Sequence, residues 1–319
     1  MNLPKDHPII LMYHSIPLYH STSMYHRKLR EHDVFDLRVS SENFAAQMEI
    51  VSQQRTALAL EEFIELFAAR RLPADAIAIT FDDGYVDNLL VAKPILERDG
   101  IPATVFLTTG TLGTDEFWWD RLERIICEVG PLPEKVNLEL HYSDPITVAL
   151  NGSNVDALRD IHGHLRDLEP AVRDAAIDGL AETLRAPHCF NRPRPITEDE
   201  VRKLATGTIS IGAHTVSHPW LPRLSLDELT HELTESKRHC ERLFGGSVPS
   251  FAYPFGAYDE NVRTAVVAAG FKLACATLDL PVLSDCDRFA LPRIQAKDWN
   301  AADFERRIRP SDRANSQRG

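Results

Sequence analysis

The sequence has no long hydrophobic run. Its first apolar run, Ile9–Met12, spans four residues and follows a charged segment that contains a proline. A membrane-spanning helix needs about 20 apolar residues, and the core of a secretory signal needs about 7 to 15. We therefore expect a cytoplasmic protein without a transmembrane segment.

Positive charge is scarce as well. The 319 residues include 35 Lys and Arg against 47 Asp and Glu, which gives a formal net charge of -12, and no stretch is rich in Lys and Arg. Proteins that bind nucleic acid carry a basic patch or stripe that contacts the phosphates. The sequence therefore predicts a small substrate and argues against nucleic acid as a partner.

Cysteine is the third shortage. The cysteines are odd in number, widely spaced and include no Cys-x-x-Cys pair. This pattern argues against a disulfide framework and against a zinc cluster, and it is typical of reduced cysteines in the cytosol. The five residues are Cys127, Cys189, Cys240, Cys275 and Cys286.

What the sequence does contain is an alternation of apolar runs and amphipathic segments. The alternation predicts an α/β fold with a parallel sheet, either open or closed as a barrel. The predicted strands are Ile9–Met12, Ala57–Leu60, Ala76–Thr80, Ala103–Leu107, Ile209–Ala213, Ser250–Tyr253 and Phe271–Thr277. The predicted helices are Phe44–Gln53, Glu61–Arg70, Val86–Arg98, Glu198–Ala205, Leu226–Phe244 and Asn261–Ala269.

Capping boxes mark the starts of two of these helices. Thr197 is followed three residues later by Glu200, and Ser225 is followed in the same way by Glu228. In a capping box each of the two side chains accepts a hydrogen bond from the backbone N–H of the other residue. We therefore expect helices to begin just after Thr197 and just after Ser225.

One segment, from about Thr114 to Pro195, interrupts the alternation. The next strand is delayed by roughly eighty residues, far more than a strand-to-helix connection needs. We interpret the segment as a largely helical insertion in a single catalytic domain that spans residues 1–319. Because it leaves the carboxyl end of a strand, we expect it to cover the site and to select the substrate. Its predicted elements are a hairpin, Val136–Leu140 with Ile146–Leu150, and a helix near Leu168–Leu184.

Two adjacent carboxylates, Asp82 and Asp83, follow the predicted strand Ala76–Thr80 and precede Gly84. Like charges at this distance repel each other unless a metal cation or an Arg gives the two carboxylates different roles. One carboxylate on a metal ion and the other free as a base would remove the conflict. Asp-Asp-Gly is also common in turns, so a plain turn is the alternative.

Two histidines, His214 and His218, follow the predicted strand Ile209–Ala213. If the chain turns helically there, the two rings lie on one face and can bind one ion. The alternative is chance, because the chain has 13 histidines. A third loop, Tyr253–Gly256, also follows a predicted strand. Since catalytic groups of parallel α/β folds collect at the carboxyl ends of the strands, three such loops favour one shared site.

Together these segments resemble the motifs of the polysaccharide deacetylase family, also called the NodB-homology group or carbohydrate esterase family four. Thr80–Gly84 is similar to the first motif of the family, His214–His218 to the second and Tyr253–Gly256 to a variant of the third. Leu11–His14 and Leu291–Arg293 are similar to segments of its bacterial members. The resemblance extends from about residue 9 to residue 294.

The resemblance implies a distorted (β/α) barrel that hydrolyses the N-acetyl group of an amino sugar. It also implies a divalent ion, usually zinc, bound by Asp83, His214 and His218. Asp82 would be the base that takes a proton from the attacking water, and the backbone N–H of Phe255 would stabilise the oxyanion. The residue types agree with this, because three N and O ligands leave positions open for water and the amide oxygen.

The chain departs from the family pattern at two positions. Ala252 stands where the third motif usually has Arg, and no His follows His239, although the last motif usually supplies one. We predict that Arg293 replaces the missing Arg and pairs with Asp82. We also predict that His14, just after the first strand, is the acid that protonates the leaving amine. The alternatives for His14 are a purely structural hydrogen bond and an acid supplied by water on the metal.

Other aromatic, acidic and histidine residues receive ordinary interpretations. The run Phe117–Trp119 could stack on sugar rings, but such clusters are more often packing anchors. Asp115, Glu116 and Asp120 are interpreted as a solvated loop and helix start. The remaining histidines are interpreted as surface or capping residues: His7, His20, His26, His32, His162, His164, His188, His231 and His239.

Three functions are compatible with these observations. The first is removal of N-acetyl groups from an amino sugar, an oligosaccharide or a lipid- or nucleotide-linked glycan precursor. The second is the same machinery acting on another amide, for example a formamido sugar, which would release formate. The third is a non-catalytic carbohydrate-binding protein, which would need neither the base nor the ligands. The sequence leaves the sugar, its linkage and the oligomeric state open.

Overall fold

A computed structural model of the chain describes residues 7–18, 33–140, 143–150, 152–186 and 194–308. Cys189, His20, His26, His32 and His188 lie outside these ranges. The other four cysteines are free thiols. Within the described ranges, no helix combines the length and apolar character needed to cross a bilayer.

Within the described residues, ten strands form two sheets. The strands are β1 (Ile9–Tyr13), β2 (Thr56–Ala57), β3 (Ala76–Phe81), β4 (Ala103–Leu107), β5 (Lys135–Leu140), β6 (Ser143–Ala149), β7 (Ile209–Ala213), β8 (Ser250–Ala252), β9 (Leu273–Cys275) and β10 (Ile294–Gln295). The main sheet has the order β10-β1-β3-β4-β7-β8-β9, with β2 also paired to β3, and every pairing in it is parallel. β5 and β6 form a separate antiparallel hairpin.

Helices connect the strands of the main sheet and build most of the insertion. They are α1 (Ser41–Gln54), α2 (Leu60–Ala68), α3 (Lys93–Asp99), α4 (Trp118–Glu128), α5 (Asn154–Arg166), α6 (Pro170–Leu184), α7 (Glu198–Leu204), α8 (Leu226–Phe244), α9 (Glu260–Ala268) and α10 (Ala301–Ile308). Both predicted capping boxes are present, at Thr197 and at Ser225.

Three predicted elements were wrong in detail. The predicted strand Phe271–Thr277 is shortened to Leu273–Cys275. The predicted strand Ala57–Leu60 ends at Ala57, because Leu60 already begins α2 and packs with the apolar residues of that helix. The predicted helix Val86–Arg98 is divided into a π-helical segment, Asn88–Ala92, and α3. Such π segments inside helices occur frequently beside functional sites.

A short segment near the C-terminal end closes the main sheet into a distorted barrel. Leu291 exchanges backbone hydrogen bonds with Ala274 and Ala276 at one edge of the sheet. Three residues later, β10 pairs with β1 at the opposite edge. The segment therefore joins the two edges, which confirms the predicted distorted (β/α) barrel.

The side chains of each strand alternate between the helices and the interior of the barrel. In β3, Ile77, Ile79 and Phe81 belong to the core between sheet and helices, whereas Ala76 and Ala78 belong to the cluster that fills the barrel. The same alternation extends to the residues just after each strand, so every second one of them also faces the interior of the barrel. Side chains just beyond the carboxyl ends are therefore directed to the mouth of the barrel.

The insertion has an apolar core of its own. α4, α5, α6 and the β5–β6 hairpin contribute most of its buried residues, and Tyr85 and Phe255 join it from loops of the barrel. The hairpin and α6 lie where the sequence predicts them, whereas α4 was predicted only as a helix start near Asp120 and α5 was not predicted. Packing of Tyr85 and Phe255 into this core attaches the insertion to the catalytic edge.

Candidate metal centre and active site

Asp82 and Asp83 begin the tight turn that follows β3. Asp83 has a φ of 73° and Gly84 a φ of 88°, so two consecutive residues are in the left-handed region. A Cβ on Gly84 would lie 2.7 Å from a side-chain carbon of Leu107, so this position requires glycine for space as well as for conformation. The turn places both carboxylates at the mouth of the barrel, where they are 3% exposed.

His214 and His218 follow β7 in an irregular loop, and not in the helical turn that was considered as one way to bring the two rings together. Thr215 and His218 have φ values of 67° and 55°, which no helix allows. The hydroxyl of Thr215 accepts a hydrogen bond from the backbone N–H of His218 at 3.0 Å. These left-handed residues fold the loop back on itself, and the two imidazole centroids lie 4.9 Å apart.

Glu232 of α8 holds this loop from behind. Its carboxylate accepts hydrogen bonds from the backbone N–H of Val216 at 2.6 Å and of Ser217 at 3.0 Å. Glu232 is buried, with 8% of the residue exposed. Hydrogen bonds to a buried carboxylate are strong, so Glu232 fixes the loop that carries both histidines.

Asp83, His214 and His218 converge on one point. The Nε2 atoms of both histidines lie 3.5 Å from Oδ1 of Asp83, and the three candidate ligand atoms lie within 4.8 Å of one another. The Nδ1–H of His214 donates to the carbonyl of Ala252 at 2.7 Å, which leaves its Nε2 lone pair directed at Asp83.

The chemistry of these three residues fits a divalent cation. Burial lowers the pKa of His214 and lowers that of His218 further, so both rings are neutral near neutral pH, which is the form that binds metal. Burial, and then the charge of Asp82, raises the pKa of Asp83 well above its usual range. A cation between Asp83 and the rings would offset this repulsion. Two imidazoles and one carboxylate are ligands that zinc accepts.

Arg293 binds Asp82 from inside the barrel. Nη1 and Nη2 donate to the two carboxylate oxygens of Asp82, each at 2.7 Å, and Nε donates to the carbonyl of Ala276 at 3.1 Å. Arg293 is 0% exposed. Burial alone would raise the pKa of Asp82, but the charge of Arg293, the hydrogen bonds from Arg293 and the nearby histidines together hold that pKa below its usual value. The contact predicted from the missing Arg at Ala252 is therefore present, while its role in catalysis stays a prediction.

His14 lies beside Asp82 on the inner face of the barrel. The neighbouring residues Tyr13 and Phe81 pair across β1 and β3, and the N–H of Asp82 donates to the carbonyl of Tyr13 at 2.9 Å. Asn88, in the π-helical segment, donates to the carbonyl of His14 at 2.7 Å. Burial lowers the pKa of His14 to about 4, against the opposing charge of Asp82, so the ring is neutral at neutral pH.

A cavity of about 280 Å³ lies over these residues. Of the seven predicted site residues, all but Arg293 line it: His14, Asp82, Asp83, His214, His218 and Phe255. The other lining residues are Met12, Phe35, Leu37, Trp119, His162, Tyr253, Thr277 and Gln295. Arg293 lies behind Asp82 and acts on the cavity through it.

The polysaccharide deacetylase family model matches residues 69–130 and 141–274, which is more than half of the chain. The chain belongs to the polysaccharide deacetylase family. It is 22% identical over 288 residues to YxkH of Bacillus subtilis, a protein named as a polysaccharide deacetylase, and the match covers 90% of this chain and 70% of YxkH.

Solved structures of other proteins show the same fold. The deacetylase PplD of Streptococcus pyogenes, solved in complex with acetate, superposes with a TM-score of 0.62 at 19% identity and covers 96% of this chain and 100% of its own. IcaB of Ammonifex degensii superposes with a TM-score of 0.57 at 15% identity, with 93% and 94% covered. At these identities the likeness shows the fold alone, and any inference about chemistry rests on the residues of this chain.

Phe255 of the third motif adopts a strained conformation beside the metal ligands. Its φ is 58°, in the left-handed region that costs a residue other than glycine about 1 to 2 kcal/mol. Its ring lies 4.5 Å from the ring of His218 and 5.6 Å from that of Trp220. Strain of this kind persists where packing enforces it, and it is common in active sites.

The insertion supplies two cavity residues, Trp119 and His162. The sequence indicates Phe117–Trp119 as a possible stacking surface but favours packing, and the interpretation of His162 as a surface or capping residue was wrong. Trp119 lies 4.7 Å from His218, and its Nε1 donates to the hydroxyl of Tyr85 at 2.8 Å. A signal for α4 was present, because its apolar residues recur at three- and four-residue spacing. His162 had no comparable signal, since its place in the wall depends on how α5 packs.

The interpretation of Asp120 as part of a solvated segment was wrong. Asp120 is 3% exposed, accepts from Nη2 of Arg38 at 2.7 Å and accepts from the hydroxyl of Tyr85 at 2.8 Å. Arg38 also binds both carboxylate oxygens of Glu123, at 3.0 and 2.9 Å. This buried network ties α4, and with it Trp119, to the loop that follows β1.

Proposed function

We propose that this chain is a metal-dependent hydrolase that removes N-acetyl groups from an amino sugar, or from an oligosaccharide or linked glycan precursor that contains one. The observation that carries the proposal is the convergence of Asp83, His214 and His218 beside an Asp82 that Arg293 keeps ionised. Asp82 and the three candidate ligands line the same cavity, and Arg293 lies behind Asp82. Membership of the deacetylase family supports the reaction class.

Asp83, His214 and His218 would hold the divalent ion, for which zinc is our proposal. When bound, the ion supplies Lewis acidity that acidifies water and polarises the amide carbonyl. Three ligands from the protein would leave coordination positions for water and for the amide oxygen.

Asp82 is the base in this proposal. Arg293 occupies one lone-pair direction on each carboxylate oxygen, so each oxygen can still accept a proton from the attacking water. The same contact fixes the orientation of the carboxylate within the buried barrel mouth. The backbone N–H of Phe255 is the proposed donor to the oxyanion, and because it belongs to the main chain it does not depend on the type of side chain.

His14 completes the proton path. Since its ring is neutral at neutral pH, it has an acceptor nitrogen available before the reaction begins. We propose that the proton taken up at Asp82 passes to a ring nitrogen of His14 and from there to the leaving amine. This assigns to His14 the acid function that the family usually gives to a downstream histidine, which this sequence does not contain.

The test measures bound metal and product acid together. Purified protein, before and after chelation and zinc reloading, is incubated with matched N-acetylated and N-formylated amino sugars. We expect acetate release that is lost on chelation and restored by zinc. Release of formate alone would favour the deformylase, and absence of any acid from fully loaded protein that still binds sugar would favour the non-catalytic alternative.

A further inference from the structure

We infer that His162 of the insertion is a substrate-binding residue, whose ring nitrogens exchange hydrogen bonds with hydroxyl groups of the sugar. This inference rests on the proposed function and extends it from the reacting amide to recognition of the sugar itself. His162 lies in the wall of the same cavity as Asp82 and the three proposed ligands. It is not one of the metal-ligand candidates.

Aromatic contacts hold the His162 ring in place. Trp118 stacks on it with ring centroids 4.8 Å apart and an interplanar angle of 21°. Phe35, from the loop after β1, lies 4.5 Å away, and Phe255 contacts it edge-on at 6.1 Å. These neighbours come from the insertion and from two loops of the barrel. The ring is therefore held in position before substrate arrives, which reduces the entropy lost on binding.

The polar atoms of His162 have no partner within the protein. In the described part of the chain, neither ring nitrogen makes a hydrogen bond or an ion pair, and the side chain opens onto the cavity. His162 is half-buried and lines the cavity, so its unpaired ring nitrogens are available to a ligand that enters there. Burial lowers the pKa of His162 to about 4, so the ring is neutral and can donate as well as accept.

A sugar matches these properties. Its hydroxyl groups both donate and accept, as a neutral imidazole requires, and its ring carries an apolar face. Trp119 lies in the same wall, with its Nε1 already bonded to Tyr85 and part of its ring lining the cavity. Apolar aromatic surface beside a few fixed polar groups is the usual lining of a small-molecule site.

The test compares His162→Phe with His164→Phe. Phenylalanine keeps an aromatic ring against Trp118 and removes the nitrogens, while His164 is an exposed histidine on the same helix and serves as the matched control. Each zinc-loaded variant is assayed on the β-1,4-linked trimer of N-acetylglucosamine, by acetate release, and on p-nitrophenyl acetate, which has no sugar. Zinc content is measured on the same samples.

We expect His162→Phe to lower kcat/KM on the trimer by about tenfold, mainly through KM, as for loss of one hydrogen bond. Hydrolysis of p-nitrophenyl acetate, the zinc content and the His164→Phe control should stay at the parent level. Equal losses on both substrates would mean a structural role and overturn the inference, as would parent-like activity on the trimer. If the parent protein releases no acid from any acetylated sugar, the proposed function fails and the inference with it. His162→Leu replaces the Phe variant should that variant not fold.

Discussion

Replacing Arg293 with methionine should be among the most damaging single changes to this protein. Arg293→Met keeps much of the side-chain volume but removes the guanidinium from a site that is 0% exposed. Asp82 would then lose both 2.7 Å hydrogen bonds and keep a buried charge without a cation beside it. The carbonyl of Ala276 would lose its bond from Nε as well.

Breaking a buried ion pair by removal of one partner costs about 3 to 5 kcal/mol. The free energy of unfolding of a protein is about 5 to 15 kcal/mol, so this change would remove a large part of the stability. Without Arg293, the largest influence opposing burial is lost, so the pKa of Asp82 rises and its carboxylate is no longer held in one orientation. We therefore expect turnover to fall at least a hundredfold, the scale of a lost general base.

The assay is denaturant unfolding of metal-free protein, with a matched pair as control. Arg194 and Glu200 also form a bidentate pair, at 2.9 and 2.7 Å, but the side chain of Arg194 is 38% exposed. Arg194→Met should therefore cost only about 0 to 1 kcal/mol. Arg293→Lys, which keeps the charge but not the fork, should fall between the two extremes.

A double-variant cycle decides whether the charge is responsible. If the unpaired carboxylate causes the loss, Asp82→Asn should recover stability in the Arg293→Met background, with a coupling energy of about 2 kcal/mol. A coupling energy below about 0.5 kcal/mol would refute the argument. So would an Arg293→Met variant as stable as Arg194→Met.

Three further predictions concern the ligands, the acid and pH. His218→Ala should lose most of its zinc, whereas Asp82→Asn should keep it and lose at least a hundredfold in turnover; equal metal loss by elemental analysis would contradict a free base. His14→Ala should retain zinc and lose at least tenfold in turnover, and a parent-like rate would place the acid elsewhere. Burial raises the pKa of Asp87 to about 7, so its proton is bound more tightly in the folded state and stability falls as pH rises from about 4 to 7. Asp87→Asn removes the titrating group, while the amide oxygen can still accept the hydrogen bond from Ser15. Unfolding midpoints of this variant, measured across the same pH range, should therefore fall less steeply; an unchanged slope would contradict the assignment.

Signals confined to a few neighbouring residues predicted the structure well. The capping box at Ser225 and the apolar spacing after it define a helix that has its predicted bounds, Leu226–Phe244. The three loops that follow β3, β7 and β8 were located because apolar strand and polar turn adjoin in the sequence. Their convergence followed from the parallel order of the strands, which makes all carboxyl ends meet at one edge.

Features that depend on distant partners could not be predicted. The carboxylate of Asp120 is buried because Arg38 reaches it from 82 residues away, and no local pattern shows that contact. The loop of His214 and His218 bends without a helix because Glu232 accepts its backbone N–H groups from another helix. His162 enters the cavity wall only through packing of the insertion against the barrel.

The segment that closes the barrel has a consequence for how the protein is made. Arg293 follows Asp82 by 211 residues, so a ribosome that adds about 5 to 20 residues per second needs roughly 10 to 40 s to supply the partner of the base. Until then the growing chain would contain an open sheet with two exposed edges, and Asp82 at the end of β3 would lack its arginine partner. Chaperones that shield such edges should bind the nascent chain during this interval, and a fragment truncated before Leu291 should accumulate as an insoluble product.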